Sequence, residues 1–596
     1  MEFHYLSDNH TTDTDDDEVT LNAVPDATPA PGEEMTGARY IARTLQAHGI
    51  DHVFFVESVL RRTLNEMEIL GIKRVGARSE KGAAYMADGY ARVRKGPAIC
   101  MAQSVGAANL AAGLQDGFLG QSPIIALTGR KTPIFQYRNA YQEIDHMPMF
   151  DPVTKYNVTV DTTEQLPFLL RQAIRESTTG APGPAHLDIA GGWGGQTVED
   201  GVGTFTIPDE SLFSHYPAVR PLPADEPLRA ALALLEAAER PVIVAAGGAV
   251  MSGAQHEVRE LAELLGIPVA TSLNGKNSIA EDHDLSIGVV GSYSRKCTNV
   301  IVSECDLVFY IGSRTGDQVT HDWTVPGFDI PVIQLDIEAA ELGRSYPNAV
   351  SIAGDARESL RRMLELADAS SAASARELHA PWAEHARSLV AAWLEEQRAV
   401  RERTTAPVTV ERLCAAIAEA LPENAVLVSD TGSSGIWTGA YIPLTKPGQT
   451  YLRAAGSLGW GFPAALGAKC GAPDRPVVCF TGDGGFWYHL SELETAVRWG
   501  INTVTIVNNN HGYGQCISAV EEAYIGYSGK PEEIYGITDT DFAALAEQIG
   551  AIGIRVTDPA ELDRALAEAL AADRPVVIDV VTDTDSRAPA GWKPGT

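Results

Sequence analysis

Val477-Val-Cys-Phe-Thr-Gly-Asp-Gly-Gly-Phe486 is an apolar run followed at once by a glycine-rich turn that carries one carboxylate. The apolar part predicts a buried strand over 477–480. In an open parallel sheet, ligands sit just beyond the carboxyl ends of the strands. Glycines there let backbone N–H groups approach a phosphate closely. A helix is predicted next, over 490–499, and its N-terminus favours an anion. A second apolar run, 503–507, ends in Asn508-Asn-Asn-His-Gly-Tyr-Gly514. Asp483 and Asn510 lie 27 residues apart, which accommodates a strand, a helix and the next strand, so both tips reach the same sheet edge. Asp483 offers a carboxylate oxygen, Asn510 a side-chain carbonyl and Gly512 a main-chain carbonyl. These are hard oxygen donors of the kind Mg²⁺ takes together with phosphate oxygens and water. Gly482, Gly484 and Gly485 line the phosphate side, and Tyr513 closes the turn. A lone Gly-Asp-Gly also makes ordinary turns; the Asn cluster at the next strand end gives it weight.

Outward from this pair the same alternation continues. Apolar strand runs are predicted at 425–428 and 575–581, so 405–585 forms one α/β unit. Residues 224–365 form another: Pro241-Val-Ile-Val-Ala-Ala-Gly-Gly248 is a strand ending in a glycine turn, and 307–312 and 332–336 repeat the pattern. Residues 37–205 give a third, with a helix at 40–47 and strands at 52–55, 99–102 and 124–127. The fold class is α/β, with three doubly wound parallel-sheet domains in series. Four prolines (Pro208, Pro217, Pro221, Pro223) make 206–223 a linker. The Ala- and Glu-rich stretch 366–404 reads as a helical connection. Residues 1–36, with Asp13, Asp15, Asp16, Asp17 and Glu18, read as a disordered acidic tail. Residues 586–596 form an irregular C-terminal tail.

The 596 residues suit several soluble domains. The net charge of −32 excludes nucleic acid and anionic membrane surfaces as partners. No apolar run reaches about eighteen residues, so no membrane span is expected, and no signal peptide is recognisable. Seven scattered cysteines without a CxxC pair fit reduced thiols in a cytoplasm.

Gly482-Asp-Gly484 followed by Asn509-Asn510 resembles the thiamine diphosphate signature of the acetolactate synthase and pyruvate decarboxylase superfamily. The resemblance extends over about 37–585. It implies that Asp483, Asn510 and the Gly512 carbonyl ligate Mg²⁺ beneath the coenzyme's diphosphate. Aligning Gly512-Tyr513 with the family's Gly-Tyr favours Asn510 over Asn509. Arg78-Ser-Glu-Lys-Gly-Ala-Ala-Tyr-Met-Ala-Asp-Gly-Tyr-Ala-Arg92 resembles the stretch bearing the activating glutamate. Glu80 is then the carboxyl that shares a proton with the coenzyme's aminopyrimidine ring. The family often has His before it, where this chain has Ser79. Gln103-Ser-Val-Gly-Ala-Ala-Asn109, Tyr141-Gln-Glu-Ile-Asp145 and Thr154-Lys155 also match, and Gln142 is implied as a substrate-side donor. Gly432, Ser433 and Ser434 fall where relatives bind diphosphate. Gly456 and Leu458 fall in the segment that holds the coenzyme bent, with Leu458 as the apolar wedge. His146, His489 and His511 are candidate proton shuttles.

In the second unit, Ile311-Gly-Ser-Arg-Thr-Gly-Asp-Gln-Val319 and Gln334-Leu-Asp-Ile337 resemble a nucleotide-binding edge. Arg314 is implied as a phosphate contact and Asp336 as a ribose contact, for FAD or ADP. Glu80 and the diphosphate motif come from different chains in this superfamily, so the resemblance implies a dimer, paired into a tetramer. The activity implied is breaking or making a C–C bond beside a carbonyl, as in decarboxylation and carboligation of small 2-oxo acids. The segment Gln515–Gly529 lacks the Trp that acetolactate synthases usually carry, which keeps a second activity open: cleavage of a 2-hydroxyacyl-CoA, with Arg587, Trp592 and Lys593 closing over the CoA. A flavin-dependent oxidase of the pyruvate oxidase kind and a non-catalytic scaffold are the alternatives from other classes.

Overall fold

A computed structural model describes residues 32–191, 197–207 and 209–595. Most of the acidic tail, 1–31, and Pro208 of the linker lie outside the described residues. The end of that tail is not disordered. Glu33–Thr36 is a strand pairing antiparallel with Val202–Phe205, because Met35 buries its side chain in the first domain's core.

Three six-stranded sheets follow, each parallel throughout. The first runs Lys73–Gly76, His52–Phe55, Ala98–Gln103, Ile124–Arg130, Ala185–Ala190, Tyr156–Val160 across the sheet. The third runs Thr450–Arg453, Val426–Ser429, Val477–Gly482, Val504–Asn509, Val576–Val581, Ile552–Val556. Counted within its own domain, each has the order 2-1-3-4-6-5. The middle sheet, from Ser286–Val289 to Asn348–Ala353, has the order 3-2-1-4-5-6, the arrangement of dinucleotide-binding sheets. Central strands such as Ala185–Ala190 and Leu307–Ile311 are buried along their whole length, as parallel strands covered by helices on both faces must be. The helical connection is the single helix Ala369–Arg401. The C-terminal tail is irregular but anchored: the Gly591 carbonyl lies 3.0 Å from His321 Nε2, and the Trp592 carbonyl accepts from Asn299 Nδ2 at 2.7 Å, both in the middle domain.

Two local readings change. Asp483 does not sit in a turn before a helix at 490. It opens the helix Asp483–His489, and the next helix is Glu492–Trp499. The strand runs on to Gly482 and the helix starts without a connecting loop. The strand expected to stop at 507 continues through Asn509, so Asn508 and Asn509 are sheet residues paired with Val580 and Val581.

The first and third domains share one core. Phe54, Tyr85 and Tyr90 pack in the same cluster as Trp460, Phe462 and Phe486. At its centre the helices Glu80–Arg94 and Gly461–Gly471 meet backbone to backbone. A Cβ on Gly89 would overlap the Ala464 carbonyl, and one on Gly467 would overlap the Met86 carbonyl. Neither neighbour is a flexible side chain that can move aside. Gly467→Ala is therefore expected to destabilise the chain by about 1–3 kcal/mol through overpacking, read by urea unfolding.

Candidate active site

Three strand ends of the third domain build a cradle. Beyond Val426–Ser429, Gly432 has φ +70°, a conformation that favours glycine. It caps the helix that begins at Ser433, with Ser434 buried in its first turn. A Cβ at Gly456 or at Gly482 would meet nothing within 4 Å, so the backbone faces open space at both. From the next strand end, Asp483 Oδ1 accepts the Gly484 N–H at 2.7 Å and Oδ2 accepts the Gly512 N–H at 2.9 Å. The carboxylate thus ties the two strand tips together. The Tyr513 ring packs on Gly484, and Gly485 fits against the Asp430 carboxylate and the Thr481 hydroxyl. Burial pushes the Asp483 carboxyl up to about 6.

The three asparagines have separate surroundings. Asn508 Oδ1 accepts from Thr582 Oγ1 at 2.6 Å. Asn509 Nδ2 donates to Asp579 at 2.9 Å and to the Thr540 carbonyl at 3.0 Å. Asn510 has its amide beside Gly514, on the side of the Ser433 hydroxyl. The sheet engages the first two, and the third faces the cradle. This donor set suits a divalent cation under a diphosphate: one carboxylate already aimed between two loops, an amide oxygen, main-chain oxygens and an open glycine floor. A cation would also offset the cost of ionising the buried carboxyl.

Glu80 is the first residue of its helix, with Ser79 as N-cap accepting the Gly82 N–H at 2.9 Å. Its carboxyl is half-buried in the single chain. It packs on Gly106 and accepts from Asn109 Nδ2 at 3.2 Å. Gln142 lies in the following loop at φ +60°, its carbonyl held by the Ser104 hydroxyl. Among the described residues its amide donates to the Tyr141 hydroxyl at 3.4 Å. Leu458 is half-buried, on a strap whose preceding backbone is gripped from the first domain: Asp116 accepts the N–H groups of Ala455 (2.7 Å), Gly456 (3.1 Å) and Ser457 (2.8 Å).

The candidate shuttles separate. His146 is buried away from the cradle, with Nδ1 2.9 Å from Asp188. His511, at φ +60°, is 3.7 Å from Asp539. His489 is buried against Tyr85 and Ser79.

Sequence reasoning gave no role of their own to Asp116, Asp430 and Glu492, carboxylates that organise the backbone here. Asp430 accepts from Thr431 N (2.8 Å), Gly459 N (3.0 Å) and Thr481 Oγ1 (2.9 Å). Glu492 accepts from Arg78 N and Ser79 N. Asp430 carried a signal, an acid at a strand end followed by Thr-Gly. Asp116 and Glu492 look like ordinary helix acids until the domains meet.

The middle domain holds a cavity of about 640 Å³ at the topological switch point of its sheet, where Gly248 meets Gly312. Arg314 and Asp336 both line it, with Leu119 and Gln121 of the first domain and Arg453 and Ala455 of the third. Arg314 Nη2 donates to the Leu119 carbonyl at 3.1 Å. Burial pushes the Asp336 carboxyl up to about 6. A carboxyl raised above its ordinary value near 4 contributes stability that is full below about pH 4 and is lost as pH rises to about 6. Asp336→Asn removes that titration. Between about pH 4.5 and about pH 7 the parent is expected to lose about 2 kcal/mol of unfolding free energy relative to the variant, measured by urea unfolding.

Comparison with known proteins covers all three domains. The model of the thiamine pyrophosphate enzyme N-terminal TPP binding domain matches 35–149, the central domain 228–363, and the C-terminal TPP binding domain 430–580. A probable acetolactate synthase large subunit from Methanocaldococcus jannaschii is 32% identical over 576 residues, 93% of each chain. The acetolactate synthase large subunit of Corynebacterium glutamicum is 32% identical over 564 residues, covering 93% of this chain and 88% of the relative. The acetolactate synthase isozyme 1 large subunit of Escherichia coli is 30% identical over 570 residues, covering 94% and 97%. With all three domains matched in order and near-complete coverage by relatives at this identity, the chain belongs to the thiamine pyrophosphate enzyme family.

Proposed function

We propose that the protein is a thiamine diphosphate- and Mg²⁺-dependent carboligase of the acetolactate synthase kind, which decarboxylates one 2-oxo acid and joins its acyl carbon to a second carbonyl compound. The observation that carries the reading is the Asp483 carboxylate tying two adjacent strand tips, with the Asn510 amide and the Ser433 hydroxyl both beside Gly514. Bound there, the coenzyme supplies a carbon nucleophile and electron sink. Asp483, Asn510 and the Gly512 carbonyl hold the cation, while Gly432, Ser433, Gly482 and Gly484 receive the diphosphate. Leu458 supports the bend. Glu80 shares a proton with the pyrimidine ring, and Asn109 fixes its carboxyl. Gln142 faces substrate. The relatives' names favour carboligation over acyl-CoA cleavage, flavin-dependent oxidation or a scaffold role.

Glu80 of one subunit serves the cradle of another in this reading, giving a dimer and, by pairing, a tetramer. Support comes from the single chain, where the start of the Glu80 helix touches Glu492 and His489 of its own third domain rather than the glycine cradle. Trp487, Tyr488, Ile525 and Tyr527 are exposed, large apolar side chains of the kind a second copy would cover. The middle cavity takes FAD or ADP, with Arg314 toward phosphate and Asp336 toward ribose. Among the described residues no helix is long and apolar enough to cross a membrane, and all seven cysteines are free, which supports work in a reducing cytoplasm.

The test is turnover of a panel of 2-oxo acids and 2-hydroxyacyl-CoAs with thiamine diphosphate and Mg²⁺. A ligated 2-hydroxy-3-oxo acid is expected, dependent on the cation and abolished by EDTA; formyl-CoA as the only product would overturn the reading. Glu80→Gln should still bind coenzyme yet lose at least about 100-fold in kcat. Gel filtration should give at least a dimer, and a colourless protein that takes up ADP would assign the middle cavity to ADP.

A further inference from the structure

The start of the Glu80 helix is held from the third domain of its own chain. Glu492 accepts the backbone N–H groups of Arg78 at 3.0 Å and Ser79 at 2.9 Å. Three residues before it in sequence, His489 brings Nδ1 to 3.5 Å from Ser79 Oγ. That oxygen also accepts the Gly82 N–H, so the imidazole meets the hydroxyl that caps the helix. His489 is 5% exposed. Its ring stands edge-on to Tyr85, with centroids 5.5 Å apart, and its Cδ2 lies 3.2 Å from where a Cβ of Gly459 would be. Burial first, and then the nearby Lys81 ammonium, pull its pKa down to about 4, so the ring is neutral at ordinary pH. In either tautomer of the neutral ring the second nitrogen, Nε2, needs a partner. That atom is buried with no protein partner, and it adjoins the Cδ2 edge that packs on the Leu458 strap.

A buried imidazole nitrogen without a partner is costly whether it carries the proton or the lone pair. The ring touches the residue before Glu80 on one side and the strap after Leu458 on the other. We propose that His489 is a positioning residue for Glu80: through the Ser79 hydroxyl it fixes the first turn of the Glu80 helix, and so the direction of the carboxyl that shares a proton with the coenzyme. The proposal rests on the reading of Glu80 as that carboxyl. Residues 79 and 489 share one space, so an imidazole carried by either can fill it.

The experiment compares the parent, Ser79→Ala, His489→Ser, the exchange variant Ser79→His/His489→Ser, and Glu80→Gln. Three quantities are read: thiamine diphosphate affinity of the apoprotein with Mg²⁺ from quenching of intrinsic fluorescence; exchange of the coenzyme's C2 proton in D₂O without substrate, by NMR after an acid quench; and kcat with KM. His489→Ser and Ser79→Ala should slow C2 exchange and kcat together by roughly 10- to 100-fold, with KM for the 2-oxo acid and coenzyme affinity changed by less than about threefold. The exchange variant should recover most of that loss. If His489→Ser does not fold, His489→Gln is read in its place. C2 exchange in the His489 variant within about twofold of the parent, or an exchange variant no better than His489→Ser, overturns the proposal. Slow C2 exchange in Glu80→Gln alone leaves the reading of Glu80 standing while the role of His489 falls. Parent-like C2 exchange in Glu80→Gln removes both.

Discussion

Everything around the site hangs on the crossing of the Glu80–Arg94 and Gly461–Gly471 helices, where two backbones touch because Gly89 and Gly467 carry no side chain. Close-packed interiors transmit displacement instead of absorbing it, so this contact fixes the first and third domains relative to each other. Polar links radiate from it. Asp88 accepts from Trp460 Nε1 at 2.9 Å and from Arg92 at 2.7 Å. The Arg92 guanidinium stacks over the Trp460 ring at 4.9 Å and donates to the Arg453 carbonyl at 2.8 Å. Buried ion pairs of this sort contribute little net stability once desolvation is counted. They do penalise any other docking of the two domains, since a shift would leave Asp88, Arg92 or Asp116 buried and unpaired.

The same physics explains why so many carboxylates line an acidic protein's site. Asp116, Asp430, Asp483 and Glu492 each accept backbone N–H groups of a loop that a coenzyme-binding enzyme must hold still. A charged acceptor makes a stronger bond than a neutral one, and main-chain donors leave the loop's own side chains free for a ligand. The cost is burial of negative charge, visible in the raised pKa of Asp116, Asp430 and Asp483, with desolvation as the first cause. Asp116 has Arg92 nearby. Among the described residues, no ion pair of Asp430 or Asp483 with a basic side chain is found. Asp483 is where a cation would act.

Much of this was legible because parallel strands buried on both faces read as apolar runs and because their ligand-binding ends carry glycine. The strands expected at 52–55, 307–312 and 477–480, and the placing of Asp483 and the loop after Asn509 at the ends of neighbouring strands, follow from that alone. The rest needed tertiary information. The helix at 483–489 was hidden because Gly484 and Gly485 disfavour helix in isolation and are accepted only through contact with Tyr513 and Asp430. Glu33–Thr36 looked like tail because its partner strand lies some 170 residues away. Which asparagine faces the cradle turns on Thr582 and Asp579, far along the chain, claiming the first two. Asp116, Glu492 and His489 gain meaning only when helices from different domains cross. The common order of the outer sheets is a topological likeness, with no repeat in the residues to announce it.

The middle domain is joined to this arrangement by side chains that belong to both sites. Arg453 ends the edge strand of the third sheet, two residues before the Asp116-bound strap. It donates to Asn274 at 2.8 Å and also bonds to Gln318, and all three line the nucleotide-sized cavity. On the far side, Tyr293 lines the same cavity and accepts from Gln515 at 3.0 Å, two residues beyond Tyr513. Three domains line this cavity, and its wall leads into the strap before Leu458 through Arg453 and into the loop after Gly512 through the Tyr293–Gln515 bond. The side chains around the cavity therefore also brace the two loops of the cradle, which is how the middle domain keeps its place against the third.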